Sequence, residues 1–264
     1  MDLTGVALIT GAASGIGKAT ALLFVAEGCR RLVLADVNRE GLEKSKEEIA
    51  ADQPDVVVLA VQTDLRSEDS VDNCVEQAIV KFGRIDYCCN IAGITLGGIT
   101  TEVKTSDFDL QYEVDLRGVF FCERAQLRAM LKQEPVKPKH SEHPVKGVIV
   151  NVSSMAGLFP YPGLPSYAAF KHGVCGLTKS DAMEYGPKGI RINAVCPGGV
   201  KTNINRTLSA EYQEKIKGAQ NIVALRRFAE PKEIAEAIAW LCSGRSSYVC
   251  GSTISINGGR EGAS

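Results

Sequence analysis

Short apolar runs alternate with longer amphipathic segments from one end of the chain to the other. VALIT (6–10), RLVLAD (31–36), VVVLAV (56–61), IDYCCN (85–90), GVIVNVS (147–153), IRINAV (190–195) and TISI (253–256) predict seven strands. They are too apolar to alternate in and out, which is the pattern of strands covered on both faces. Segments with helical spacing lie between them, at 15–27, 39–51, 67–81, 104–133, 166–186 and 231–243. The last opens on Pro231, whose fixed φ suits a first helical turn. Strand–helix alternation of this kind predicts an α/β fold: one doubly wound domain over 1–264, its parallel sheet covered by helices on both faces through right-handed crossovers.

Two segments break the rhythm. KQEPVKPKHSEHPVKG (132–147) carries three prolines, two histidines and several lysines, and reads as a solvated connection. Residues 200–230 have weak periodicity, and a long connection of that kind inside a domain is expected to act as a substrate lid.

Composition narrows the classes. The 264 residues are 45% hydrophobic and 23% charged with a net charge of −1, which suits a large core and gives no electrostatic footprint for nucleic acid or anionic membrane. No apolar run reaches the ~18 residues of a spanning helix, and the N-terminus lacks the basic start of a signal peptide. The nine cysteines form no C-x-x-C pair, and their scatter through apolar segments predicts reduced thiols in a cytoplasmic protein. His140, His143 and His172 have no acidic or cysteine cluster beside them, so no metal is expected.

The first chemical signal is TGAASGIGKAT, between the first strand and the first helix. Gly11, Gly15 and Gly17 allow a tight turn, close approach of the backbone to a diphosphate, and a helix set down on the turn. The free N–H groups and dipole of that helix start then face the phosphates. Asp36 ends the second strand about 20 residues on, where a carboxylate accepts from the adenosine ribose hydroxyls and repels a 2′-phosphate. Capping of the following helix is the competing role for Asp36. Ser14 stands where a cation would favour a 2′-phosphate, and Arg39 is the one cation nearby. The cofactor expected is therefore NAD(H), with NADP(H) the less favoured alternative.

The glycine spacing is T-G-x-x-x-G-x-G, and with it the chain resembles the short-chain dehydrogenase/reductase family in its compact soluble branch. The resemblance runs from Thr10–Gly17 through Asp64-Leu65, Asn90-x-Ala92-Gly93, NVSS ending at Ser154, Tyr167-x-x-x-Lys171, and Pro197-Gly198 followed by Thr202. It implies a Rossmann-type seven-stranded parallel sheet and a homodimer or homotetramer built on the long helices and the last strand. Ser14, Ile16 and Val37 fall in the stretches that it places against the cofactor. It puts Asp64, Leu65, Asn90, Ala92 and Gly93 around the adenosine half, and Pro197, Gly198, Val200 and Thr202 around the nicotinamide.

Tyr167 is the only one of seven tyrosines with a lysine four residues later, which puts both on one helix face. A free tyrosine titrates near 10, and the Lys171 ammonium is expected to lower that value. Such a tyrosine passes a proton to or from a substrate oxygen while hydride moves at a nicotinamide. The resemblance gives Ser154 a hydrogen bond to the same oxygen, with Ser153 a backbone-bonding neighbour, and gives Lys171 a second bond to the nicotinamide ribose. Its fourth member, an asparagine in V-N-L-x-G, falls on Asp115 of VDLRG. There a carboxylate favours the Lys171 ammonium and partly cancels its pull on the tyrosine.

The segments expected around the substrate, ITLGG with Leu96, MAGLFPYPGLP with Tyr161, and NINRTLSAEY, are mostly apolar with little fixed positive charge, Arg206 being the one basic group among them. An uncharged secondary alcohol or ketone is the expected small-molecule substrate. The competing readings are a catalytically weak dinucleotide-binding protein and a natural-product cyclase or epimerase on the same fold.

Overall fold

The computed structural model describes residues 1–204 and 218–260. Seven strands, β1 (Val6–Thr10), β2 (Arg31–Asp36), β3 (Val57–Gln62), β4 (Tyr87–Asn90), β5 (Gly147–Val152), β6 (Ile190–Pro197) and β7 (Thr253–Ile256), form one sheet. Their order is β3-β2-β1-β4-β5-β6-β7, and every neighbouring pair is parallel.

The central strands are apolar on both sides because both sides are covered. Ala7, Ile9, Leu32 and Leu34 join one core with side chains of α1 (Gly15–Ala26), α2 (Arg39–Asp52) and α7 (Pro231–Cys242). Their neighbours Val6, Leu8, Val33 and Ala35 join a second core on the opposite face, with α3 (Glu68–Phe82), α5 (Gly118–Met130) and α6 (Pro165–Tyr185). Each such side chain withdrawn from water contributes on the order of 1.5–3 kcal/mol.

Element ends move by one or two residues from their expected places, except in the span expected as one helix over 104–133. There α4 (Thr105–Tyr112) passes into a π turn (Glu113–Arg117) before α5 begins. One turn with i→i+5 bonding is a change of backbone hydrogen bonding that no residue type in this segment marks. The connection at 132–147 is largely exposed, closed by an antiparallel bridge between Val136 and Val145. Of the expected lid at 200–230, residues 205–217, Arg206 included, lie outside the described residues.

The strand order reverses between β1 and β4: β2 and β3 lie to one side, and β5 to β7 to the other. A crevice opens at the carboxyl ends of the strands at such a point.

Candidate active site

The turn after β1 takes its shape from two glycines with positive φ, Gly11 at 71° and Gly15 at 54°. A Cβ on Gly17 would stand 2.1 Å from the Gly11 carbonyl oxygen, so α1 rests directly on the turn. Ser14, at the start of α1, makes no side-chain cap bond, which leaves the first-turn amides for a ligand. Asp36 does not cap α2; Asn38 does, its side chain accepting from Gly41 N at 3.1 Å. The Asp36 carboxylate accepts from Ala13 N at 3.1 Å and from Asn38 N at 2.9 Å, and so leans against the glycine turn. This cradle fits a nicotinamide dinucleotide: glycines where a Cβ would intrude, free amides for the diphosphate, and a fixed carboxylate beyond.

The other positions expected around the adenosine half lie differently. Val37 is exposed and Leu65 is buried. The Asp64 carboxylate is forked by Arg66, Nε to Oδ1 at 3.0 Å and Nη2 to Oδ2 at 2.7 Å, and this pairing lowers its pKa. The Asn90 side chain turns into the protein, bonding Gln126 Oε1 at 3.1 Å and Asn151 Oδ1 at 2.9 Å. Thr10 Oγ1 accepts from the amides of Ile91 and Ala92, at 3.0 and 3.2 Å, and so ties the end of β1 to the strand end before Gly93.

On the side expected to take the nicotinamide, the start of α6 stacks Tyr167 and Lys171 one turn apart, with Lys171 Nζ 5.6 Å from the tyrosine ring centroid. Nζ donates to the Val152 carbonyl at 3.3 Å and lies 3.8 Å from Asp115 Oδ1. Asp115 rides on the π turn, fully buried, and Oδ1 also accepts from Ile94 N at 2.9 Å. Gly93 is the contact between them: a Cβ there would lie 2.9 Å from Asp115 Oδ1 and 3.2 Å from Lys171 Nζ. Ser153 Oγ donates to the Lys171 carbonyl at 2.8 Å. Ser154 Oγ accepts from Ala156 N at 3.1 Å, and the Tyr167 side chain hydrogen-bonds with Ser154 and with Thr95.

Burial sets the electrostatics. It pushes the Asp115 carboxyl up, against the opposing pull of Lys171. Burial also works against the Lys171 ammonium, but Asp115 and Tyr167 outweigh it and the Lys171 pKa rises. The Tyr167 hydroxyl rises as well. Burial is the largest cause and Asp115 adds to it, while Lys171 and the bonds to Ser154 and Thr95 pull down. The expected lowering of this tyrosine by its lysine is thus present in sign but overridden by desolvation.

These groups open on one cavity of about 870 Å³, part of it open to solvent. Ser154, Tyr161, Tyr167 and Lys171 line it, as do Ile16, Gly93, Pro197, Gly198, Val200 and Thr202. Leu96 is half-buried and does not line it. Thr95 and Phe228 do, both within stretches expected around the substrate though not singled out there, and so does Arg260, which sequence reading missed. Arg260 also corrects the expectation of a wall with little positive charge. It bonds Tyr161, 99 residues earlier in the chain, and no local pattern signals that approach.

The fold and this cavity define a dinucleotide-binding α/β protein, and comparison with known proteins places it further. The family model described as enoyl-(acyl carrier protein) reductase matches residues 11–261. The chain is 40% identical to the 3-oxoacyl-(acyl-carrier-protein) reductase of Thermotoga maritima over 98% of its own length and 99% of the relative's. A crystal structure of levodione reductase superposes with a TM-score of 0.88 at 36% identity, covering 97% of each chain. That of 3-ketoacyl-(acyl-carrier-protein) reductase from Brucella melitensis, complexed with NADH, gives 0.84 at 32% identity, covering 97% of this chain and 98% of the other. The chain belongs to the short-chain dehydrogenase/reductase family of oxidoreductases.

Proposed function

We propose that the protein is an NAD(H)-preferring carbonyl reductase and secondary-alcohol dehydrogenase for a small organic substrate. The observation that carries this reading is the convergence of Ser154, Tyr167 and Lys171 on one cavity that adjoins the glycine cradle. Residues 1–264 would act as one catalytic domain, with 200–230 closing over substrate; Ile204 and Phe228, near its two ends, line the cavity.

The bound dinucleotide supplies or accepts hydride. The chain supplies everything else. Gly11, Ser14, Gly15, Ile16 and Gly17 hold the diphosphate, while Pro197, Gly198, Val200 and Thr202 flank the nicotinamide. Tyr167 gives its hydroxyl proton to the carbonyl oxygen in reduction and takes it back in oxidation. Ser154 holds that oxygen by a hydrogen bond. Lys171 favours the phenolate by its charge, and Asp115 keeps Lys171 charged and in place. Burial raises the Tyr167 pKa, with Lys171 pulling the other way.

Preference for NAD(H) rests on Asp36, whose fixed carboxylate would face a 2′-phosphate with like charge. A relative solved with NADH agrees in kind. Assembly into a homodimer or homotetramer is supported by the apolar side chains that α4, α5 and α6 leave exposed, Phe108, Phe120 and Met183. A reducing cytoplasm suits nine free cysteines, eight of them buried. Among the described residues no helix is long and apolar enough to cross a membrane.

The test is consumption of NADH and NADPH with a panel of ketones, and the reverse reaction with the alcohols. Turnover with NADH above NADPH is expected. Tight NADH binding without turnover by either cofactor would instead indicate a binding protein.

A further inference from the structure

The substrate side of the cavity holds a cation that the proton-transfer chemistry does not use. Arg260 Nη1 donates to Tyr161 Oη at 3.0 Å, and its guanidinium carbon lies 4.9 Å from the centre of that ring. The position is built rather than frayed. Asn257 Nδ2 donates to the Arg260 carbonyl at 2.6 Å, and Leu225 N donates to the Gly258 carbonyl at 3.1 Å. Gly258 and Gly259 turn the chain back with φ of 66° and 79°. A Cβ on either would come within 2.8 Å of Val223 or Ala224.

Arg260 has no carboxylate partner among the described residues. Lys171, the other cation of the cavity, has Asp115 within 4 Å. Arg260 is half-buried on a cavity that Met155, Leu164 and Phe228 also line, so its charge is incompletely solvated, and a bound anion would offset that cost. Because Tyr161 Oη accepts from Arg260, its own proton is left to donate. This end of the cavity therefore presents donors: one tyrosine O–H and the guanidinium N–H groups that Tyr161 does not take. A planar anion with two acceptor oxygens complements that set, and a carboxylate is such a group.

We propose that the substrate is an oxo acid, or in the reverse direction a hydroxy acid, with its carboxylate held by Arg260 and Tyr161 while the carbonyl reacts at Tyr167. The proposal rests on the oxidoreductase reading above and names the substrate class of that same site. The carboxylate changes no bond. It fixes which carbonyl reaches Tyr167, since the distance from Arg260 sets the favoured chain length.

Two measurements test it separately. The first is kcat/KM with NADH for 4-oxopentanoate, 5-oxohexanoate and 7-oxooctanoate, each against its methyl ester, in wild type and Arg260→Met. At one length or more, wild type should favour the acid by roughly ten-fold. Arg260→Met should lose about that factor on the acid and keep the ester rate, since a hydrogen-bonded charge is worth about this much. Arg260→Lys should recover part of the loss. Esters reduced as well as acids at every length, or acid and ester lowered alike by Arg260→Met, would overturn the proposal.

The second is the rise in melting temperature that the three oxo acids give the NADH-bound protein. A rise in wild type that Arg260→Met loses supports carboxylate binding. No rise, or the same rise in both, overturns it. If the rise is present but no ketone, acid or ester is turned over, carboxylate binding stands and the oxidoreductase reading falls.

Discussion

Asp115 Oδ1 lies 3.8 Å from Lys171 Nζ, with both side chains buried and Gly93 holding the space between them open. The carboxylate has two roles in this arrangement. It sustains the lysine charge, and through Oδ1 it accepts from Ile94 N and so anchors the loop after Gly93. Its second oxygen, Oδ2, is buried.

Asp115→Asn keeps the Oδ1 acceptor and removes the charge. Because Asp115 raises the Tyr167 pKa, its neutralisation should move that pKa down. The alkaline limb of the pH profile, where reduction falls and oxidation rises, should then shift to lower pH. Turnover near neutral pH should stay within about three-fold of wild type or increase, a change of under ~1 kcal/mol. Steady-state profiles in both directions check this. A collapse of activity would assign the carboxylate a specific catalytic task.

Asp36→Ala removes both the like charge facing a 2′-phosphate and the two bonds to Ala13 N and Asn38 N. The ratio of kcat/KM for NADH over NADPH should fall by roughly ten-fold, or about 1.4 kcal/mol of discrimination. An unchanged ratio would count against Asp36 as the selecting group.

Glu123 on α5 is fully buried beside Asn151, whose Nδ2 donates to Oε2 at 3.1 Å, and Oε1 has no partner among the described residues. Burial, with Asp181 adding repulsion, pushes its pKa up to about 8. A folded-state pKa above the unfolded one stabilises the protein below the unfolded value, and that contribution is lost as pH rises through the folded value. Wild type should therefore lose stability progressively from about pH 4.5 to about 8. Glu123→Gln should flatten that part of the profile, raising stability above pH 8 relative to wild type. Denaturant midpoints across pH measure this, and parallel profiles for the two proteins would refute it.

All seven strands were legible because each carries a short apolar run, and β1 and β5, buried along their whole length, show most plainly the mark of parallel strands covered on both faces. The glycine turn was legible because its backbone geometry restricts the residue type at fixed spacing. The π turn at Glu113–Arg117 was not, since it is a change of backbone hydrogen bonding that no residue type there marks. Arg260 was invisible for another reason: it meets Tyr161 only through the tertiary fold. The rise in the Tyr167 pKa depends on burial, which Y-x-x-x-K alone does not report.

The most direct test of the central claim is Tyr167→Phe, with NADH binding followed by fluorescence and turnover by NADH consumption on the same preparation. The hydroxyl is the group assigned to proton transfer, and the ring fills the same space without it. NADH affinity should stay within about three-fold of wild type, while turnover falls on the order of 10²–10⁴-fold. Turnover within ten-fold of wild type, with NADH still bound, would contradict the assignment of Tyr167 as the acid and base.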